Sequence, residues 1–205
     1  MNAPPIDGAD LQIGDIVFIR VANFLYRRVA AATASWTSHV GMIHRRDGTD
    51  WLVAESAVPR SRYSPLSRFL GRSEAGRWAV MRLKSPLDAP AQTRLQREAA
   101  RRMGQWYHFG FNLDSRYQFC SKFVYEVYRD ALGVHIGTVE SFRELLHRNP
   151  TAPLTFWKLW FLGRIPWERR TITPGSQYQS DLLEIVCDNR ERDRPEWVNR
   201  DRSAT

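Results

Sequence analysis

The apolar stripe across residues 119–132 does most to limit what this chain can fold into. Phe123, Val124, Val127, Tyr128 and Ala131 recur at helical spacing, and Gly133 follows where a left-handed cap would end a helix. A helix with one wide apolar face must bury it against another element. That element is legible upstream. Residues 16–20, 40–44, 51–55 and 79–83 are short runs rich in apolar and β-branched side chains and read as strands. Asp47-Gly48, between the second and third, marks a hairpin. The expected class is α+β: an antiparallel sheet packed against the 119–132 helix.

The rest of the pattern fits round that frame. Residues 23–35 place Leu25, Val29 and several alanines among arginines and predict a helix. Residues 92–103 predict another, opened by Pro90 and Ala91 and stopped at Gly104. Residues 57–78, rich in Ser, Pro, Gly and Arg, read as loop with one helical turn near 66–70. A short helix at 140–147 and a strand at 182–186 complete the reading. With 205 residues, 43% of them hydrophobic and 12% aromatic, one globular domain over 1–187 is expected. An aromatic-rich segment at 153–170 packs on it, and 188–205 forms a charged, flexible tail. No run approaches the ~18 apolar residues of a bilayer span. The N-terminus has no basic region followed by an apolar one, so the expected location is cytoplasmic, or exported without a recognisable signal.

A formal charge of +8 suits an acidic partner such as an anionic membrane or a cell-wall polymer, with nucleic acid the least expected. It equally suits a solvated surface rich in arginine. The two cysteines, Cys120 and Cys187, form no Cys-x-x-Cys pair, which argues against a zinc ribbon and a disulfide framework. His39, His44, His108, His135 and His147 show no ligand spacing with acids or cysteines, and glycine-rich phosphate loops are absent. Neither metal nor cofactor is expected.

Chemistry concentrates at Cys120, in the first turn of the 119–132 helix. Unpaired backbone N–H groups and the helix dipole stabilise a thiolate there, and the same N–H groups can receive an oxyanion. The position alone also suits an ordinary small buried cysteine. His39 opens the 40–44 strand and Glu55 closes its hairpin partner. A two-residue Asp47-Gly48 loop would pair Gly41 with Ala54 and turn Glu55 away from His39. A loop with an odd residue count puts Gly41 opposite Glu55, with His39 diagonal on the same face and no side chain between. A carboxylate on one imidazole nitrogen then leaves the other free to take a thiol proton.

Three strings, Ser38-His39-Val40-Gly41-Met42-Ile43, Ala54-Glu55-Ser56 and Tyr117-Gln118-Phe119-Cys120-Ser121-Lys122-Phe123, follow one another in that order. They resemble the YiiX/YebB-like branch of the NlpC/P60 cysteine hydrolases, over roughly residues 13–133. Gly14-Asp15-Ile16-Val17-Phe18 resembles that family's opening strand, and residues 172–182 its C-terminal stretch. The resemblance implies a circularly permuted papain-like fold, with Cys120 as nucleophile, His39 as base and Glu55 as the third polar residue. Gly104-Gln105-Trp106-Tyr107 is similar to the family's Gly-x-x-Tyr segment and makes Tyr107 a pocket residue. Two positions depart from the pattern: His108 stands where relatives often carry Asp, and Lys122 where they often carry Glu. Both are expected at the substrate pocket, Lys122 as positive charge beside Cys120.

The implied function is a cysteine amidase or peptidase working through an acyl-enzyme, with cell-wall peptide as the first substrate class. A lipid ester or thioester hydrolase or acyltransferase at an anionic membrane is the alternative. A non-catalytic binding module on the same fold is the third. The Trp-rich segment at 155–167 serves as core packing or as a membrane-interface element.

Overall fold

Alternation along Ile16–Val21 (β1) sets the two faces of the sheet in the computed structural model, which describes residues 10–22, 33, 35–149, 152 and 154–189. Ile16 and Phe18 join one buried cluster, Val17 and Ile19 the other, as the period of two in a strand requires. Strand β1 pairs with His39–Asp47 (β2) on one side and Ser73–Leu83 (β5) on the other. Asp50–Ser56 (β3), Ser61–Pro65 (β4) and Leu183–Asp188 (β8) extend the sheet to six strands in the order β4-β3-β2-β1-β5-β8. Every pairing is antiparallel.

Helix Cys120–Leu132 (α3) packs on the face that carries Ile16, Phe18, Val40 and Met42, burying Phe123, Val124, Val127 and Tyr128. It ends at Gly133 with φ 69°, the left-handed cap expected there. Helix Ala89–Arg101 (α2) lies beside it and starts where the Asp88 carboxylate accepts the Ala91 N–H at 2.8 Å. Helix Leu66–Leu70 (α1) covers the opposite face over Val17, Ile19, Ile43 and Val53. The architecture, a mixed α/β domain with an antiparallel sheet against the cysteine-bearing helix, is thus the one expected.

Three sequence expectations change. The stretch 57–78 is not mainly loop. It contains β4, whose buried side chains are Ser61 and Ser64 rather than aliphatic residues, and the first residues of β5. The 140–147 helix starts later, at Phe142–Arg148 (α4). Glu140–Ser141 (β6) pairs with Arg170–Thr171 (β7), and Ser141 and Glu144 form a capping box. The aromatic segment divides. In Leu154–Trp160 (α5), Trp157 is buried with Phe111, Phe119 and Phe142, whereas Leu159 is exposed. Pro174–Tyr178 (α6) leads to β8. The helix expected at 23–35 lies, apart from Thr33 and Ser35, outside the described residues, as does 190–205 of the charged tail. No helix among the described residues is long and apolar enough to cross a membrane.

Candidate active site

Cys120 is the first residue of α3, and the residue that should cap the helix is Phe119, which offers no side-chain hydrogen bond. Ser, Thr, Asp or Asn normally takes that position and satisfies a first-turn N–H. With phenylalanine there, no capping side chain occupies the N–H groups beside the thiol. Cys120 is 4% exposed and lines an apolar cavity with Tyr107, Phe111, Phe142, Trp157 and Ile172, an empty space of ≈ 420 Å³ including its open mouth.

The hairpin brings His39 and Glu55 together by a route the turn alone does not reveal. Asp47 pairs with Asp50, so the loop is the two residues Gly48 and Thr49, with Gly48 at φ 60°. The register then shifts between Ile43 and Arg45, leaving His44 as the extra residue of a bulge, and Met42 pairs with Ala54. Continued by one step, this places Gly41 opposite Glu55 and His39 diagonally on the same face. The required register comes from an even loop plus a bulge, not from an odd loop. Gly41 is needed for a second reason: a Cβ there would sit 2.5 Å from Val53 Cγ1 and 3.0 Å from Phe69 Cε2.

Within this frame Glu55 Oε2 lies 2.6 Å from His39 Nε2, and both side chains are buried. Burial would lower the imidazole pKa, but the neighbouring Cys120 thiol and the hydrogen bond to Glu55 outweigh it and hold His39 above its ordinary value. Since Glu55 takes Nε2, Nδ1 is the nitrogen left to face the thiol. Burial would likewise raise the Glu55 carboxyl; His39 and Arg72 overcome it and hold that carboxyl far below the usual carboxylate range.

Glu55 is held by residues that sequence reasoning missed. Arg72 Nη2 reaches both carboxylate oxygens, at 2.9 and 2.8 Å. Ser64 Oγ donates to Oε1 at 2.7 Å, and Arg62 Nε approaches the same oxygen at 3.3 Å. Arg72 also lies over the Phe69 ring, 4.9 Å from its centroid, and Phe69 stacks on His39 at 5.5 Å. Only the repeated arginines of 57–78 hinted at this, and surface arginines look the same in a sequence.

Of the expected pocket residues, Tyr107 lines the cavity beside Cys120. A bridge to Gln118 fixes it next to the start of α3. Lys122 and His108 do not line that cavity, which corrects the expectation for both. The Lys122 ammonium is drawn to the 115–117 loop, donating to the carbonyls of Ser115 and of Tyr117, the latter at 3.0 Å, with Glu126 at 3.5 Å. Burial lowers its pKa against the opposing pull of Glu126. Carbonyls behind Cys120 are its nearest acceptors, so it fastens the loop. His108 is half-buried near Tyr117, its pKa lowered by burial and then by Arg169 and Lys122.

This geometry can be set beside known proteins. The chain is 28% identical over 176 residues to the YiiX protein of Escherichia coli (strain K12), covering 86% of each chain. A crystal structure from Escherichia coli O157:H7, described as metalloprotein yiiX (DUF1105), superimposes with a TM-score of 0.79 at 30% identity. It covers 86% of this chain and 97% of that one. Among the described residues of the present chain, no three or more His, Cys, Asp or Glu side chains gather to hold a metal ion. Residues 10–187 match the family described as "Permuted papain-like amidase enzyme, YaeF/YiiX, C92 family". On a match of that span, the chain belongs to the C92 family of permuted papain-like amidases, the YaeF/YiiX group.

Proposed function

We propose that the chain is a cysteine amidase, a permuted relative of the NlpC/P60 hydrolases, in which Cys120 is the nucleophile, His39 the general base and Glu55 the residue that orients the imidazole. The observation that carries this reading is the buried line from the Cys120 thiol through His39 to Glu55, with the last contact at 2.6 Å. His39 takes the thiol proton, and Sγ attacks the carbonyl carbon. The oxyanion meets the uncapped first-turn N–H groups of α3. As the C–N bond breaks, the leaving amine takes the proton from His39, and a thioester remains on Cys120. Water then attacks the thioester, giving one proton to His39. Collapse releases the acid, and the thiol recovers its proton. Glu55 stays ionised throughout and fixes which imidazole nitrogen faces the sulfur.

A second reading follows from the cavity wall. Phe111, Phe119, Phe142, Trp157 and Ile172 offer an acyl group an apolar bed and few hydrogen bonds. That favours an ester or thioester of a lipid acid over a polar cell-wall peptide.

Two experiments decide. Iodoacetamide near neutral pH is expected to label Cys120 stoichiometrically and to leave Cys187 unmodified. Burial, followed by Asp15 and Asp188, pushes the Cys187 thiol up to about 11, so that it stays protonated. Peptide mapping by mass spectrometry reads the result, and equal slow labelling of both cysteines would sink the nucleophile assignment. Incubation with peptidoglycan fragments and with phospholipids, comparing the wild type with Cys120→Ala, then separates the two substrate classes. Turnover of neither would leave the fold as a binding module.

A further inference from the structure

Helix α5 buries one face and leaves the other bare. Trp157 points into the aromatic core beside Cys120, whereas Leu159 is 80% exposed and Leu162, in the following turn, 93% exposed. Leu162 also sits at φ 50°, a left-handed conformation that normally falls to glycine or asparagine at a helix end. Neither backbone preference nor core packing accounts for a leucine at this point. Trp160 stands beside it, its indole N–H donating to the Phe109 carbonyl at 3.0 Å, and Phe109 is itself exposed.

The charges round this tip have one sign. Lys158 and Arg164 are exposed, and neither forms an ion pair among the described residues. The one acid in residues 154–170, Glu168, is bound by Arg143 at 2.9 Å. Leucines at the apex, an indole beside them and exposed cations at the margin match the layering of a bilayer interface. There leucine enters the acyl boundary, tryptophan sits at headgroup depth and lysine or arginine meets phosphate.

We propose that α5 and its C-terminal turn form a peripheral anchor for an anionic lipid bilayer, entered by Leu159 and Leu162 and held by Lys158 and Arg164. The proposal is independent of the cysteine chemistry. Its occupant is argued from charge complementarity: an exposed apolar tip flanked by exposed cations fits a negative, deformable surface. The same helix turns Trp157 toward the Cys120 cavity, so docking here would bring the membrane close to that cavity's aromatic wall.

The test is co-sedimentation of the full chain with extruded vesicles at low salt, either phosphatidylcholine alone or phosphatidylcholine mixed equally with phosphatidylglycerol. Expected is clear pelleting with the anionic vesicles and at least tenfold less with the neutral ones. Leu159→Ser combined with Leu162→Gly should weaken anionic binding at least tenfold. Glycine accepts the positive φ, and an unchanged circular dichroism spectrum shows that the variant folds. Lys158→Glu with Arg164→Glu should remove the preference for anionic lipid, and Cys120→Ala should bind like the wild type. A wild type that stays in the supernatant with both vesicles overturns the proposal, as does a double leucine variant that binds undiminished. So does a wild-type dimer that the leucine variant dissociates while neither protein pellets, an outcome that assigns the patch to a second copy of the chain.

Discussion

Glu55 accepts hydrogen bonds from four side chains, and after His39 the Arg72 guanidinium is the main electrostatic support of its carboxylate. The other arginine, Arg62, is more exposed and contacts a single oxygen. Breaking a buried ion pair from one side costs ~3–5 kcal/mol. The Arg72 side chain is 27% exposed, so solvent screens part of that, and about 2 kcal/mol is the expected loss for Arg72→Met. Urea denaturation measures it. Because Arg72 holds Glu55 and Glu55 holds His39, the same variant should lower kcat by about 10–100-fold with a smaller change in KM. Arg72→Lys should recover much of the stability but less of the rate, since an ammonium lacks the planar guanidinium that lies over the Phe69 ring. A full-rate Arg72→Met enzyme would show that Glu55 needs no clamp.

The elements carrying the site were legible to different degrees, for physical reasons. Helix α3 announced itself through a continuous apolar stripe and a terminal glycine, which are local signals. The β2–β3 hairpin was legible as a turn, but its register depended on a bulge at His44, and a bulge is set by twist and packing rather than by composition. Strand β4 was hidden because its buried side chains, Ser61 and Ser64, serve hydrogen bonds: Ser64 to Glu55 and Ser61 to the Arg102 carbonyl. An inward serine reads as loop when only apolar alternation is sought. Cys120, His39 and Glu55, the residues proposed to carry the chemistry, stood out in the sequence because each lies at or near an element's end. Their supports lay in the stretch that looked solvated. At this scale Gly41 is the sharpest probe. A methyl group there meets Val53 at 2.5 Å and Phe69 at 3.0 Å, both in a packed layer. Gly41→Ala should therefore cost about 1–3 kcal/mol by overpacking. It should also displace Phe69, which stacks on His39, so activity should fall more than stability alone explains. Thermal melts and kcat at a temperature well below the melting point separate the two effects.

Across the whole molecule, one buried ionic cluster joins the two layers. Cys120 belongs to the helix layer, His39 and Glu55 to adjacent strands, Ser64 to the neighbouring edge strand, and Arg72 to the entry into β5. Its titration should therefore register as global stability. For Glu55 the folded carboxyl lies far below its unfolded value of 4.5, so its contribution is full above that value. As pH falls below it, the unfolded chain gains a proton first, and stability declines until the folded pKa is passed. For His39 the folded pKa lies above 6.5, so its contribution is full below that value and is lost as pH rises through the folded pKa. The two overlap between about pH 4.5 and 6.5, where the cluster holds both charges at least cost. Urea midpoints measured from pH 3 to 9 should peak in that window and fall on both sides. Glu55→Gln removes the carboxylate that titrates on the acid side, so its midpoint should be lower near pH 6 and nearly flat from pH 6 down to pH 4. His39→Gln should flatten the alkaline limb and make the acid one shallower, since Arg72 is then left to hold the Glu55 carboxyl down. Parallel acid limbs for the wild type and Glu55→Gln would show that other carboxylates, such as Asp15 bound by Arg82, govern acid unfolding.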